Sequence, residues 1–316
     1  MGNRRDSRLK AYSKTTTPCP HVDSRSARKL IEKCFPQLQI RHSKQIVTGW
    51  ENLVLEVNRE YVFRFPKYRE TEKRLKNEIA FLPRLRGHLS TQVPDYDFIW
   101  KGGGKYPHWF GGYRKISGVT VQSLPFRSEW TKPLAVQVAS FLKELHSIRF
   151  RGARFRGMPR YPSEEWFRTL KQQYRKIRRI VYPVLGTRLR SRSEKFWHNF
   201  LSEFRDADFE PTLIHGDLGG ENILFDPTSV RLTGIIDWSY MQISDPALEF
   251  AHLFIYKSEL GEEVLKHYRM EESDFKKRVQ LYVDSEPFYD IMWGVSHHWD
   301  KPKKHGLSQL AKTLRA

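Results

Sequence analysis

Positions 213–225 read LIHGDLGGENILF, a polar loop held between two short apolar runs, with His215, Asp217 and Asn222 inside eight residues. The runs are too short for helices and read as strands. The loop therefore lies at strand ends, with its polar groups gathered at one edge. Asp, Gly and Asn also suit tight turns for backbone reasons alone, so this stretch by itself leaves a structural and a chemical reading level. A second motif breaks the tie: 15 residues past Asn222 the apolar run LTGIID ends on Asp237, and DPALEFA follows. Strand, loop, strand, turn and strand would bring 217, 222 and 237 together. Phosphoryl transfer asks for a group that orients the attacking hydroxyl, ligands for Mg²⁺ and cations for the phosphates. Asp217 can take the hydroxyl proton. Asn222 offers an amide oxygen suited to a hard cation, and Asp237 supplies a charged ligand.

The remaining chain divides near residue 118. Before it, KQIVTGWENLVLEVN and EYVFRFPK read as strands joined by a turn at Asn58 to Glu60, and ETEKRLKNEIAFLPRLR carries a helical stripe at 75, 79, 82 and 85. DYDFIWKGGGKYPHWFGGYRK reads as two more strands around a Gly-rich turn. A helix through SARKLIEKCF, ending before Pro36, precedes them. After residue 118, LAVQVASFLKELHSI, SEEWFRTLKQQYRKIRRIV, SEKFWHNFLSEF and DPALEFAHLFIYKS read as helices, and LTGIIDWSY as a strand. The expected architecture is α+β and bilobal. Residues 1–24 form a flexible basic arm, 25–112 a small antiparallel-sheet lobe that binds nucleotide, 113–118 a hinge, and 119–316 a large, mainly helical lobe for catalysis and the acceptor. The cleft between lobes is the expected ligand site.

With 39% hydrophobic residues, among them 20 Phe, 14 Tyr and 9 Trp, the chain can bury a core, which excludes global disorder. No apolar run approaches the roughly 20 residues that cross a bilayer. The basic N-terminus lacks the apolar segment of a secretory signal, and Asp6 breaks the myristoylation pattern. Cys19 and Cys34 lie 15 apart without metal-site spacing. A cytoplasmic, monomeric protein is expected.

HGDLGGENILFD, LTGIIDWSYMQISDPALEFAHL and TGWENLVLEVNREYVFRFPK together resemble the aminoglycoside phosphotransferase family, with its protein-kinase-like fold, over about residues 45–305. The resemblance implies ATP or GTP as donor, and Mg²⁺. It makes Asp217 the catalytic base, Asn222 and Asp237 the Mg²⁺ ligands, Asp245 the aspartate that holds the catalytic loop and His215 the buried histidine that shapes it. A kinase-like site also places a cation on the third strand, paired with a helix carboxylate. Strand alternation puts Arg64 on one face with Val62, opposite Phe63 and Phe65. Glu78 is the expected partner, and Lys67 the alternative cation. TGWEN, with Gly49 and Asn52, reads as the nucleotide cover. The link GGYRKISG would present backbone groups of Tyr113, Lys115 and Ile116 to the base.

The order of elements near the C-terminus resembles the 2″-phosphotransferase branch. Aminoglycosides are polycations, and Glu259, Glu262, Asp284, Glu286 and Asp290 could receive one, with Trp293 as a packing wall. Residues 160–205 argue the other way, because their twelve Lys/Arg against four acids would repel a polycation if they lined the pocket. The expected partners are a nucleoside triphosphate and a small hydroxyl acceptor, above all an aminoglycoside or amino sugar, as in antibiotic resistance; no membrane or nucleic-acid partner is expected. Two alternatives stay open: a kinase of choline, homoserine, macrolide or ketosamine type, and a basic anion- or nucleic-acid-binding pseudokinase, which the net charge of +19 motivates.

Overall fold

The first hairpin is set by its turn. Asn58 and Arg59 both take left-handed backbone angles, φ 54° and 58°, in the three-residue loop between the paired Val57 and Tyr61. The Asn58 side chain accepts from the N–H groups of Arg41 and His42 and donates to the Gln39 carbonyl, so the turn is locked to the chain before it. In the computed structural model, which describes residues 17–46, 51–104, 106–125, 127–150, 155–270 and 272–315, this hairpin is the centre of a five-stranded antiparallel sheet. Its strands are β1 (Ser43–Ile46), β2 (Asn52–Val57), β3 (Tyr61–Pro66), β4 (Tyr96–Gly103) and β5 (Tyr106–Arg114), in the order β1-β2-β3-β5-β4.

The two faces of the sheet bury different helices. Helix α1 (Ser24–Cys34), capped by Asp23 through its bond from the Ser26 N–H, lays Ala27 and Ile31 against Leu53, Leu55, Phe63, Phe65 and Phe110. Val62 and Tyr113 face the other way, into the main core with Leu75, Phe81 and Leu82 of helix α2 (Arg69–Leu85). The expected flexible arm needs correction over its described part. Thr17 to Cys19 pair with the chain beside Tyr68: the Cys19 N–H donates to Lys67 O at 2.8 Å and the Arg69 N–H to Thr17 O at 3.0 Å. Those bonds satisfy backbone groups that a free arm would leave to water. Residues 1–16 lie outside the described residues.

The chain leaves the sheet at Arg114 and re-pairs at β6 (Val119–Thr120), a two-residue strand too short to show a period in sequence. The expected hinge thus begins inside β5, and residues 115–118 make the passage. The remaining part is mainly helical: α3 (Ser128–Ser147), α4 (Ser163–Ile180), α5 (Thr187–Arg205), α6 (Ala247–Tyr256), α7 (Ser258–Tyr268), α8 (Ser273–Ser296) and α9 (Asp300–Thr313). Two small sheets are set among them. β6 pairs with β8 (Ile223–Asp226) and β8 with β9 (Arg231–Ile235), while β7 (Thr212–Ile214) pairs with β10 (Gln242–Ser244). The strand expected through LTGIIDWSY stops at Ile235. Asp237 turns left-handed and Trp238–Tyr240 closes a 3₁₀ turn. Among the described residues, no helix is long and apolar enough to cross a membrane.

Candidate active site

Hairpin β8–β9 brings the polar groups together. Ile223 pairs with Ile235, so the residues just outside the ladder, Asn222 and Ile236, face each other, and the Ile236 N–H donates to Asn222 O at 3.0 Å. Asp237 is the next residue. Asn222 also reaches back: its Nδ2 donates to the Asp217 carbonyl at 2.7 Å and lies 3.4 Å from Asp217 Oδ2. Spending the amide N–H on the loop leaves the amide oxygen as the Asn222 side-chain group able to meet a cation. Asp217, Asn222 and Asp237 thus occupy one end of one hairpin.

The loop before Asp217 is held by buried groups. His215 is fully buried. Its Nδ1 accepts from the Asp217 N–H at 3.2 Å and its Nε2 lies 3.0 Å from the Ile236 carbonyl, which selects the Nε2–H tautomer. Its ring meets Trp238 edge-on at 4.8 Å. Gly216 has φ +77°, and a Cβ there would lie 2.4 Å from Tyr240 O, so only glycine fits. Glu249, a fully buried carboxyl on α6, accepts from the N–H groups of His215 at 2.7 Å and Gly216 at 3.2 Å. Its other oxygen has no hydrogen-bond partner among the described residues. Burial raises its pKa from 4.5 to about 8, against the pull of the two N–H bonds and with a further push from Asp217.

Glu249 does the work expected of Asp245. Asp245 is buried, but its carboxylate is taken up by Arg278 at 2.9 and 3.3 Å, the Tyr282 hydroxyl at 3.0 Å and the Ala247 N–H at 3.0 Å. It ties α6 to α8, and none of these bonds reaches the loop at 215–217. A carboxylate inside the apolar helix ALEFAHLFIY was the signal for Glu249, since an unpaired charge is costly there.

The cation on β3 is Arg64. Its Nη1 donates to both Glu78 oxygens at 2.9 and 2.7 Å, and its Nη2 to Asp237 Oδ1 at 2.7 Å and Ser239 Oγ at 2.9 Å. Burial alone would lower its pKa, but the Asp237 and Glu78 carboxylates overcome this and keep the guanidinium charged. Tyr96 donates to Glu78 Oε1 at 3.0 Å. Neither Tyr96 nor Ser239 was legible beforehand. Lys67 is exposed just beyond β3, and Glu78 pairs with Arg64.

Around this centre the nucleotide-binding candidates are partly placed. Gly49 lies outside the described residues. Asn52 opens β2 and is buried. Its neighbour Glu51 accepts from the Tyr240 hydroxyl and from Arg74 of α2 at 2.8 Å, which links the end of TGWEN to the segment after Asp237. Tyr113 and Ile116 are buried. Lys115 turns its side chain to Glu56, and its N–H donates to Glu60 O at 2.7 Å, so its carbonyl is the backbone group left for a ligand.

The acceptor candidates separate. Glu259 and Glu262 are exposed on α7, and Glu262 borders a cavity with Lys276 and Gln280 at the start of α8. Asp284 accepts from Gln280 at 2.8 Å. Glu286, Asp290 and Trp293 follow at i, i+4 and i+7, one helical face, and Asp290 Oδ2 lies 3.0 Å from His305 Nδ1. Gln280 and Asp290 are about 15 Å apart along the helix. Glu262 thus lies beside the start of α8, and Glu286, Asp290 and Trp293 lie along its second half. Most cations of 160–205 lie off the packed side of α4 and α5; Lys176 and Arg192 are half-buried. Trp166, Leu170 and Ile177 of α4 and Trp197, Phe200 and Phe204 of α5 are buried, Phe288 of α8 packs 5.4 Å from Trp197, and Lys171, Arg175, Arg178, Arg188 and Arg190 are exposed.

The chain is similar to known proteins in sequence and fold. The family profile described as the phosphotransferase enzyme family matches residues 42–279. Viomycin phosphotransferase of Streptomyces vinaceus is 31% identical over 115 residues, 34% of this chain and 35% of that protein, so the matched stretch spans about a third of its length. The GDP and kanamycin complex of APH(2″)-IIIa superposes with a TM-score of 0.81 at 26% identity, over 91% of this chain and 97% of that one. A macrolide 2′-phosphotransferase type I shares the fold at TM-score 0.69 and 19% identity, over 94% of this chain and 99% of that one.

Proposed function

The chain belongs to the phosphotransferase enzyme family, and we propose that within it this protein transfers the γ-phosphoryl group of ATP or GTP to a hydroxyl of an aminoglycoside or related amino sugar. The observation that carries the reading is the meeting of Asp217, Asn222 and Asp237 at one hairpin end, with Arg64 bound to Asp237 from the opposing sheet.

In this reading the Asp217 carboxylate accepts the proton of the acceptor hydroxyl as its oxygen attacks the γ-phosphorus and the bond to the bridging β-oxygen breaks. Arg64, held through Nη1 by Glu78, would turn Nη2 from Asp237 and Ser239 to phosphate oxygens. The residues fit Mg²⁺: Asn222 presents an amide oxygen, and Asp237 is a part-exposed carboxylate balanced by Arg64. Asn222 and Asp237 would hold the ion, which when bound supplies positive charge to the phosphates. The left-handed backbone of Asp237, φ 61°, aims that carboxylate away from the ladder it ends.

For the acceptor we assign the carboxylates of Glu286 and Asp290, buried beside Trp293 on one face of α8, as the groups that would meet its ammonium groups. The relatives favour such acceptors, since one structural neighbour is a kanamycin complex and a curated relative is a viomycin phosphotransferase. The test is product formation with ATP and with GTP over kanamycin, gentamicin, viomycin, a macrolide and choline, read by mass spectrometry. Phosphorylated kanamycin or gentamicin supports the reading. Turnover confined to the macrolide or choline would replace the acceptor, and no turnover with any would remove the activity. Glu286→Gln and Asp290→Asn should raise KM for the polycation with little change in kcat, whereas Asp284→Asn should change neither.

A further inference from the structure

Three metal-ligating side chains, remote in sequence, meet where β5, the first turn of α2 and the segment paired beside Tyr68 converge. His108 of β5 shares a sheet face with Tyr106 and Phe110, which pack in the α1 core. Glu72 comes from the first turn of α2, and Cys19 from the short segment that pairs beside Tyr68. All three are buried. Cys19 Sγ lies 3.5 Å from His108 Nδ1, and Glu72 Oε2 lies 2.7 Å from the same nitrogen. The three ligand atoms fall within 4.8 Å of one another.

An imidazole–carboxylate pair does not account for this. Nδ1 has one proton or one lone pair, so it serves one partner, and a buried thiol closing on the same nitrogen is left over. The Tyr106 hydroxyl is a second sign of something held there. Tyr106 is only 6% exposed, its hydroxyl has no hydrogen-bond partner among the described residues, and its ring lies 5.7 Å from that of His108. The far oxygen of Glu72 is already fixed by Lys76 at 2.7 Å and the Trp109 N–H at 3.3 Å, which turns Oε2 toward the cluster. Outer bonds of that kind orient metal ligands.

We propose that Cys19, Glu72 and His108 bind one divalent cation of zinc type, with the Tyr106 hydroxyl or a water as fourth ligand. One sulfur, one imidazole nitrogen and one carboxylate oxygen form a borderline-soft set that suits Zn²⁺ and not Mg²⁺. With bonds of about 2.3 Å to sulfur and 2.0–2.1 Å to nitrogen and oxygen, a tetrahedral ion wants Sγ and Nδ1 about 3.5 Å apart, as found, and asks Oε2 to move back from Nδ1 by about 0.6 Å. The ion would clamp residues 17–19 to α2 and β5. The two cysteines have no metal spacing in sequence because only one of them takes part and its partners come from other elements.

The experiment uses the full, tag-free chain stripped by chelator and titrated with Co²⁺ and Zn²⁺. Wild type should take up one Co²⁺ with a near-ultraviolet thiolate-to-metal band, lose it to one equivalent of Zn²⁺, and melt higher with zinc. Cys19→Ser, a one-atom change, should abolish the band and the zinc-dependent rise. His108→Ala should weaken binding by more than the roughly 10–100-fold that loss of an outer partner costs. Cys34→Ser should leave everything unchanged. Cations held at Asn222 and Asp237 give no thiolate band, so the readout separates the two sites. A wild type without the band, or a band that survives Cys19→Ser, would overturn the proposal.

Discussion

Replacing Glu249 by Gln isolates the buried carboxyl that holds the loop at 215–217. The amide keeps one oxygen for the N–H groups of His215 and Gly216 and puts NH₂ where the other, unpartnered oxygen stands. The wild-type carboxyl is raised from 4.5 to about 8, first by burial. In the folded state it keeps a proton that the unfolded chain has released, so wild-type stability is full below about pH 4.5 and declines until pH passes about 8. Each pH unit of that window is worth at most 1.36 kcal/mol. Wild type and Glu249→Gln should therefore agree within about 1 kcal/mol at pH 4.5, and the variant should be the more stable by about 3 kcal/mol at pH 7 and about 5 kcal/mol at pH 9. Urea unfolding of both proteins from pH 5 to 9 reads this difference directly, with kcat expected to change little. Glu249→Ala serves as the contrast. It strands two buried N–H groups at about 1–3 kcal/mol each, and kcat should fall as the loop loosens. A stability difference between wild type and Glu249→Gln that does not vary with pH would refute the reasoning.

Asp237→Ala should abolish Mg²⁺-dependent nucleotide binding by calorimetry, and binding equal to wild type would count against its role. Arg64→Ala leaves Glu78 buried without its cation and should cost about 3–5 kcal/mol in urea unfolding. Arg64→Lys should keep most of the stability but raise KM for nucleotide, because a point charge cannot span Glu78 and Asp237 together. Gly216→Ala forces a Cβ against the Tyr240 carbonyl at a left-handed position and should cost about 1–3 kcal/mol together with a loss of kcat; a fully active, fully stable variant would refute the fit.

Regular spacing carried the sequence reading a long way. Strand alternation in YVFRFP separates Arg64 from Phe63 and Phe65, and the structure puts those residues on opposite faces. The loop and hairpin around Asp217, Asn222 and Asp237 were legible because the apolar runs that flank them are short and closely spaced. What stayed hidden lacks a period. β6 has two residues, and the turn after Ile235 depends on one left-handed aspartate. The docking of Thr17 to Cys19 rests on a few backbone bonds. Glu249 and Asp245 are both acids near the start of one helix, and only their partners in space tell which of them holds the loop. The acids of 259–290 look like one cluster in sequence, but they come from two helices, Glu259 and Glu262 from α7 and Asp284, Glu286 and Asp290 from α8.

Asp217→Ala is the most direct test of the account, read by single-turnover formation of phosphorylated acceptor beside calorimetric nucleotide binding. Nucleotide affinity should stay close to wild type and the turnover rate should fall by about 10²–10⁴-fold. Product formed at the wild-type rate would contradict the central claim that the Asp217 carboxylate takes the acceptor proton beside Asn222 and Asp237.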